Sequence, residues 1–367
     1  MKNKRLLIIS AVSFSLIFTA CKKNKDKEEE QKDDFNKTEL LTNMADNIII
    51  PSYISYKSSV DSLELATTTF ISNKNNANLL SLRAKFQNVY LSFEVVSAFE
   101  FGPAESEVFR SGANTFPCDT PQINSNINTE VYDLNMASNF DAKGYPALDY
   151  LLYGKGKTDQ QILDHFTIDS NAVKRSGYLI ALVAELKTKA TSIVNQWNSS
   201  YRTTFISSNG SDIGSSVGLL VNQLNQDLEI TKNYRVGIPL GKKTLGVVLP
   251  EKCEAYYSKA SLVLLKKHVE SLEKIYLGNS GKGFDDYLDF LNAQYNGASL
   301  NATITNQFTV VKEKINLIPE TLDNSVVNNQ APVDVAYTEL QRLVVLLKAD
   351  MPSALGIVIT YQDTDGD

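Results

Sequence analysis

LRAKFQNVYLSFEVVSAFEFGP, residues 82–103, decides the fold class. Leu82, Phe86, Val89, Phe93 and Val96 recur at steps of four and three, which sets them along one side of an α-helix. Gly102-Pro103 then ends the helix. Upstream, Leu40, Leu41, Met44, Ala45 and Ile48 repeat the same spacing. Pro51 is expected to kink or restart that segment, because its ring removes a donor and clashes with the preceding turn.

Downstream, residues 103–143 hold no sustained period and are rich in Asn, Ser, Thr, Pro and Asp, so they read as a long ordered connection of the kind that carries function. Helical spacing returns after Gly144. Asp169 is expected to cap a long helix bearing Tyr178, Leu182, Leu186, Ile193 and Trp197. Val217, Leu220, Val221, Leu224 and Leu228 mark another, which residues 235–241 are expected to break. Further helices are expected near 251–277, 283–295, 299–318 and 333–349. Strand-like alternation is nearly absent, and Gly356-Ile357-Val358-Ile359 is the best candidate. The chain therefore reads as all-α, with antiparallel bundles. One long helix runs into Phe101-Gly102-Pro103 and another into Val236-Gly237-Ile238-Pro239. This echo predicts two four-helix-bundle-like halves related by duplication, residues 37–168 and 169–367.

The N-terminus carries an address. Lys2, Lys4 and Arg5 precede an apolar run from Leu6 to Phe18, and Thr19-Ala20-Cys21 closes it. The run is too short to span a bilayer and reads as a removable lipoprotein signal over residues 1–20, leaving Cys21 to be lipidated. Residues 22–36, KKNKDKEEEQKDDFN, set five lysines against six acids, so 21–36 is expected to be a disordered tether.

Of 367 residues, 347 remain after a 20-residue leader, a length that suggests about two domains. Losing the leader's three positive charges takes the net charge from −6 to −9. Phosphate repels such a chain, so nucleic acid is excluded as a partner. Cys118 and Cys253 remain after Cys21, and spacing does not decide whether they pair. Only His165 and His268 exist, which excludes a His-rich zinc site. His268 is expected at the surface or boundary of its helix.

Several segments, in order, resemble the imelysin family of exported all-α proteins, which are classed as peptidases and linked to iron uptake. They are residues 41–51 (LTNMADNIIIP), 99–105 (FEFGPAE), 114–120 (NTFPCDT), 144–152 (GYPALDYLL), 236–241 (VGIPLG), 254–258 (EAYYS) and the tail from Ser353. The acidic run after Cys21 also resembles the surface-export signal of Bacteroidetes lipoproteins. The family's hallmark is GxHxxE, where a His and an acid three apart share a helix face and can hold a metal or work as an acid–base pair. Here that window reads Gly144-Tyr145-Pro146-Ala147-Leu148-Asp149. Pro146 supplies no ligand, which argues against catalytic turnover, and it can serve as a first-turn helix residue.

Asp149, flanked by Leu148 and Tyr150, is the sharpest candidate, either as a metal or hydrogen-bonding ligand or as a helix-start acid. The expected ligand cleft gathers Gly144, Tyr145, Asp149, Glu105, Arg110, Asp119, Glu254, Tyr257 and Ser258; ordinary salt bridges are the plainer alternative for the charged members. Any cation there, ferric iron or another hard ion, would need carboxylate oxygens from Asp149, Glu105, Asp119 or Glu254. Asp363, Asp365 and Asp367 lack EF-hand spacing. The glycine runs lack Walker spacing.

Three function classes follow: a binding lipoprotein for iron or other metal acquisition, a metallopeptidase, and a polysaccharide-binding lipoprotein. The first places the protein at the cell envelope, on the outer membrane and exposed at the cell surface, with outer-membrane iron-uptake proteins as partners. Replacing Cys21 with Ser should release the protein from the membrane fraction or leave its leader uncleaved, since a doubly acylated anchor holds firmly. Equal membrane retention of the variant on fractionation would refute lipid anchoring.

Overall fold

The 82–96 stripe forms the inward face of a helix, Asn76–Val96, in a computed structural model that describes residues 35–361. Leu82, Phe86, Val89, Phe93 and Val96 are all fully buried. Asn75 caps this helix by accepting the Asn78 N–H. The leader, Cys21, most of the tether and the acidic 363–367 tail lie outside the described residues.

From Asn36 onward the chain is one compact unit, and it is all-α. A two-residue hairpin, Gln294–Tyr295 with Ala298–Ser299, is the only sheet among the described residues. The strand expected at 356–359 does not form; that stretch is irregular. Its one β-like alternation finds no neighbouring strand to pair with.

Two groups of helices make the body. Ile50–Ser72 packs along both Asn76–Val96 and Ala172–Gln196. Ser216–Ile230, Ser261–Tyr276, Leu300–Asn316 and Gln330–Val345 pack on one another. Helix 76–96 leans on helix 261–276 and joins the groups. Packing therefore draws helix 172–196 into the first group, although the sequence reading placed it beyond a boundary at 168/169. Asp169 does not cap that helix through N2 or N3. Its side chain accepts the Asn171 N–H at 3.0 Å and faces His165.

Three proline positions share a signature. Met44–Ile49, Thr231–Gly237 and Leu346–Asp350 are π-helical, and each runs into a short or long α-helix with proline at its start: Pro51, Pro239 and Pro352. The residue before each proline donates its N–H five residues back: Ile50 to Ala45, Ile238 to Asn233, and Met351 to Leu346. Proline clashes with the carbonyl four back; widening the turn by one residue relieves this and keeps the helix going. Residues 231–240 thus stay helical, and the expected break arrives only at Gly241.

Other boundaries shift for local reasons. The 103–143 connection contains short helices at Pro103–Ser106, Phe109–Asn114 and Thr120–Thr129. The helix expected from 251 starts at Ser261, because residues 250–260 are spent in a 3-10 turn and further turns. Helix Gly144–Tyr153 follows a close approach: a Cβ on Gly144 would lie 2.1 Å from the Ala113 carbonyl oxygen, and its φ is +67°. Gly144→Ala should therefore cost at least about 2 kcal/mol from the left-handed backbone alone, seen as a lower urea midpoint at unchanged slope. A midpoint equal to the parent's would refute the fit.

Candidate functional site

Helix 76–96 ends at Val96, and the chain then folds back through Glu100 and two short helices to Phe116. This return faces helix 216–230 and its π-helical extension across a cavity of about 650 Å3. That size suits a small organic ligand. Glu100, Glu105, Arg110, Asn114, Gln223 and Gln226 supply much of the polar lining, with Glu229, Tyr234 and Tyr361.

Behind this wall runs a chain of buried charge. Arg110 Nη1 donates to Asp227 Oδ1 at 3.0 Å. Asp227 Oδ2 lies 2.7 Å from His268 Nε2, and His268 Nδ1 lies 3.0 Å from Glu94 Oε2. The same Glu94 oxygen is 2.7 Å from Arg235 Nη1, which donates to Glu254 Oε2 at 2.5 Å. Asn114 Nδ2 donates to the other Glu254 oxygen at 2.6 Å, while Tyr90 Oη donates to Asn114 Oδ1 at 2.6 Å. The chain of contacts leaves the cavity wall at Arg110 and returns to it at Asn114. Glu94, Asp227, Arg235, Glu254 and His268 are each at most 4% exposed. Such charges persist in a core only when paired.

Burial alone would lower the His268 pKa, but the Asp227 carboxylate overrides it and raises it to about 9, so the ring is charged at neutral pH. Burial pushes Asp227 up, and the His268 charge, with Arg110 and Arg235, brings it well below the usual carboxylate range. Burial lifts Glu254 to about 8 against the pull of Arg235. Burial likewise lifts Glu100 to about 7, opposed by Arg110.

The imelysin family model matches residues 49–349. The chain belongs to the imelysin family. It is 22% identical over 311 residues to iron-regulated protein A of Synechococcus elongatus, spanning 81% of each chain. Its fold matches a crystal structure from Parabacteroides distasonis described as an iron-regulated protein A precursor, with TM-score 0.73, 15% identity, and coverage of 87% of this chain and 95% of that one. An imelysin-like protein from Psychrobacter arcticum matches with TM-score 0.69, 17% identity, and coverage of 89% and 97%.

The expected cleft residues of this imelysin do not gather at one place. Glu105 and Arg110 line the cavity, and Glu254 stands behind it through Asn114. Tyr145 is core: fully buried, stacked on Tyr90 at 4.5 Å between ring centres, and donating to Tyr56 Oη. Gly144 serves the backbone approach to Ala113. Asp119 caps helix 120–129 by accepting the Gln122 N–H. Pro146 is buried in the first turn of helix 144–153. Asp149, 1% exposed, accepts the Tyr257 N–H at 2.8 Å and the Ser258 N–H at 3.1 Å. Its oxygens are therefore occupied by backbone, and the expected carboxylate set around Asp149 is not assembled. Among the described residues no three His, Cys, Asp or Glu side chains are grouped to hold a metal ion. Cys118 and Cys253 are both free thiols, and Cys118 Sγ sits 3.9 Å from Tyr257 Oη.

His268 is the clearest correction. It is fully buried rather than at the surface. Its place could have been found, because it lies four residues from both Leu264 and Leu272 on the buried face of helix 261–276. Asp227 follows Leu224 by three on an apolar stripe in the same way.

His268 holds stability below its unfolded value near 6.5, and this is lost as pH rises through about 9. Glu254, also raised, acts in the same direction up to about 8. The melting temperature should therefore fall between pH 6.5 and 9, and His268→Gln should flatten the upper part of that fall. A melting temperature that rises across the window in calorimetry would refute the charged-imidazole assignment.

Proposed function

We propose that this imelysin is a binding component in iron or other metal acquisition at the cell envelope, anchored through Cys21, and that it works without catalytic turnover. The observation that carries the reading is the cavity of about 650 Å3 between the 100–116 return and helix 216–230, backed by a chain of buried ion pairs and hydrogen bonds. A cavity of that size with rigid polar walls suits selective holding of a small molecule. The iron connection rests on the names of the relatives, both iron-regulated protein A.

Peptidase chemistry is disfavoured on local grounds. The hallmark histidine position holds Pro146, and Asp149 is committed to two backbone amides. Arg110, Asp227 and His268 are held in mutual ion pairs, which suits a fixed wall more than a proton-transferring base.

In the source cells, the abundance of the protein should rise when iron is withheld, measured by quantitative proteomics. The purified chain should leave casein intact with or without a chelator. Chelator-sensitive cleavage would overturn the non-catalytic reading, and iron-independent abundance would overturn the link to iron.

A further inference from the structure

We propose that the occupant of this cavity is a small organic molecule carrying ammonium groups, received by Glu100, Glu105 and the side-chain oxygen of Gln223. This rests on the reading of the cavity as the ligand site and adds the class of ligand.

The polar groups at the wall differ in how far they are already engaged. Arg110 is the one cationic side chain among the residues lining the cavity. Its Nη1 donates to Asp227 at 3.0 Å and its Nη2 to Gln226 Oε1 at 2.9 Å. An anionic ligand would have to compete with a buried carboxylate for that guanidinium, and would meet three wall carboxylates while doing so. Breaking a buried pair leaves an uncompensated charge, which costs several kcal/mol.

The acceptors are less committed. Gln223 lines the cavity, but its Oε1 is buried and without a hydrogen-bond partner among the described residues, so it meets a donor there only after its side chain turns. Glu100 Oε2 takes the Arg110 N–H at 2.9 Å. Glu105 stands exposed at the cavity on the short helix Pro103–Ser106. Glu229, which also lines the cavity, is met by Lys348 at 2.7 Å. The wall therefore offers acceptors and negative charge, while its one cation faces inward. Ammonium groups supply several donors and the complementary charge.

Glu100 makes the binding depend on pH. Burial holds its carboxyl up near 7; Arg110 and Lys189 pull it down and Asp227 pushes it up, with Glu105 and Glu229 on the same cavity. The carboxylate form, which receives the ammonium, gains population as pH rises through that value.

The test is titration calorimetry on the whole chain in detergent at physiological salt, where distant surface charge is screened. Spermidine serves as the cationic probe and citrate as the anionic one. Spermidine should bind, more tightly at pH 8 than at pH 6, and citrate should not. Glu100→Gln should weaken spermidine about tenfold, as loss of one charge-assisted hydrogen bond implies, and should remove the pH dependence. Glu105→Gln, at an exposed position that does not threaten folding, should weaken it about threefold, near the lower end for a solvated charge contact. Tighter binding of citrate, no binding of spermidine, or spermidine affinity unchanged in both variants would each overturn the proposal. Spermidine binding by a protein whose abundance ignores iron would instead sink the iron reading alone.

Discussion

A single guanidinium nitrogen, Arg235 Nη1, holds the carboxyl groups of two acids that come from distant parts of the chain. Glu94 lies on helix 76–96, and Glu254 lies in the turns before helix 261–276. Without that cation the two acids would face each other in a fully buried setting. With it, His268 can bridge Glu94 to Asp227, and Asp227 can hold Arg110 at the cavity wall. Truncating one member of such a set costs about 3 to 5 kcal/mol, mostly through the charge left behind. Charge pairing inside the body therefore holds Arg110 and Asn114 in place at the cavity wall.

The altered hallmark fits this picture. A proline in the first turn and an aspartate that accepts two backbone amides turn the 144–153 helix into a brace for residues 257 and 258. Those turns carry Glu254. Asp149 thus reaches the cavity only through backbone, by fixing the segment from which Glu254 meets Arg235 and Asn114. Burial lifts its own pKa to about 6, and the Ser258 side chain with the amides of Tyr257 and Ser258 resists that rise.

The helical class was legible because a period of 3.6 residues persists from Leu82 to Val96 and again along helices 172–196 and 261–276. The partition was not legible. Helix 172–196 has an apolar face that either group could accept, and only the packing along 50–72 decides it. At the site, Glu105, Arg110 and Glu254 were visible as charges in otherwise distinctive segments. Glu94, Asp227 and His268 were hidden by the opposite habit, in which a charge on an apolar stripe is read as a boundary residue. Pairing between separate helices, as of His268 with Glu94 and with Asp227, leaves no local trace. Glu100 and Gln223 also carried no signal, since their role depends on which backbone lies opposite.

The widened turn before Pro239 has a consequence for how this sequence can change. Each residue advances a helix by about 100°, and the Thr231–Gly237 segment carries one residue more per turn than an α-helix would. Arg235 sits inside that surplus. Deleting one residue between 231 and 237 would let the turn close to ordinary spacing while the helix on either side kept nearly its direction, because the widened turn is what absorbs the extra residue. A deletion after Arg235 would turn that side chain away from its two acids even though every side chain of the cluster was still encoded. The register of this segment, as well as the side chains it carries, therefore keeps the charged interior paired.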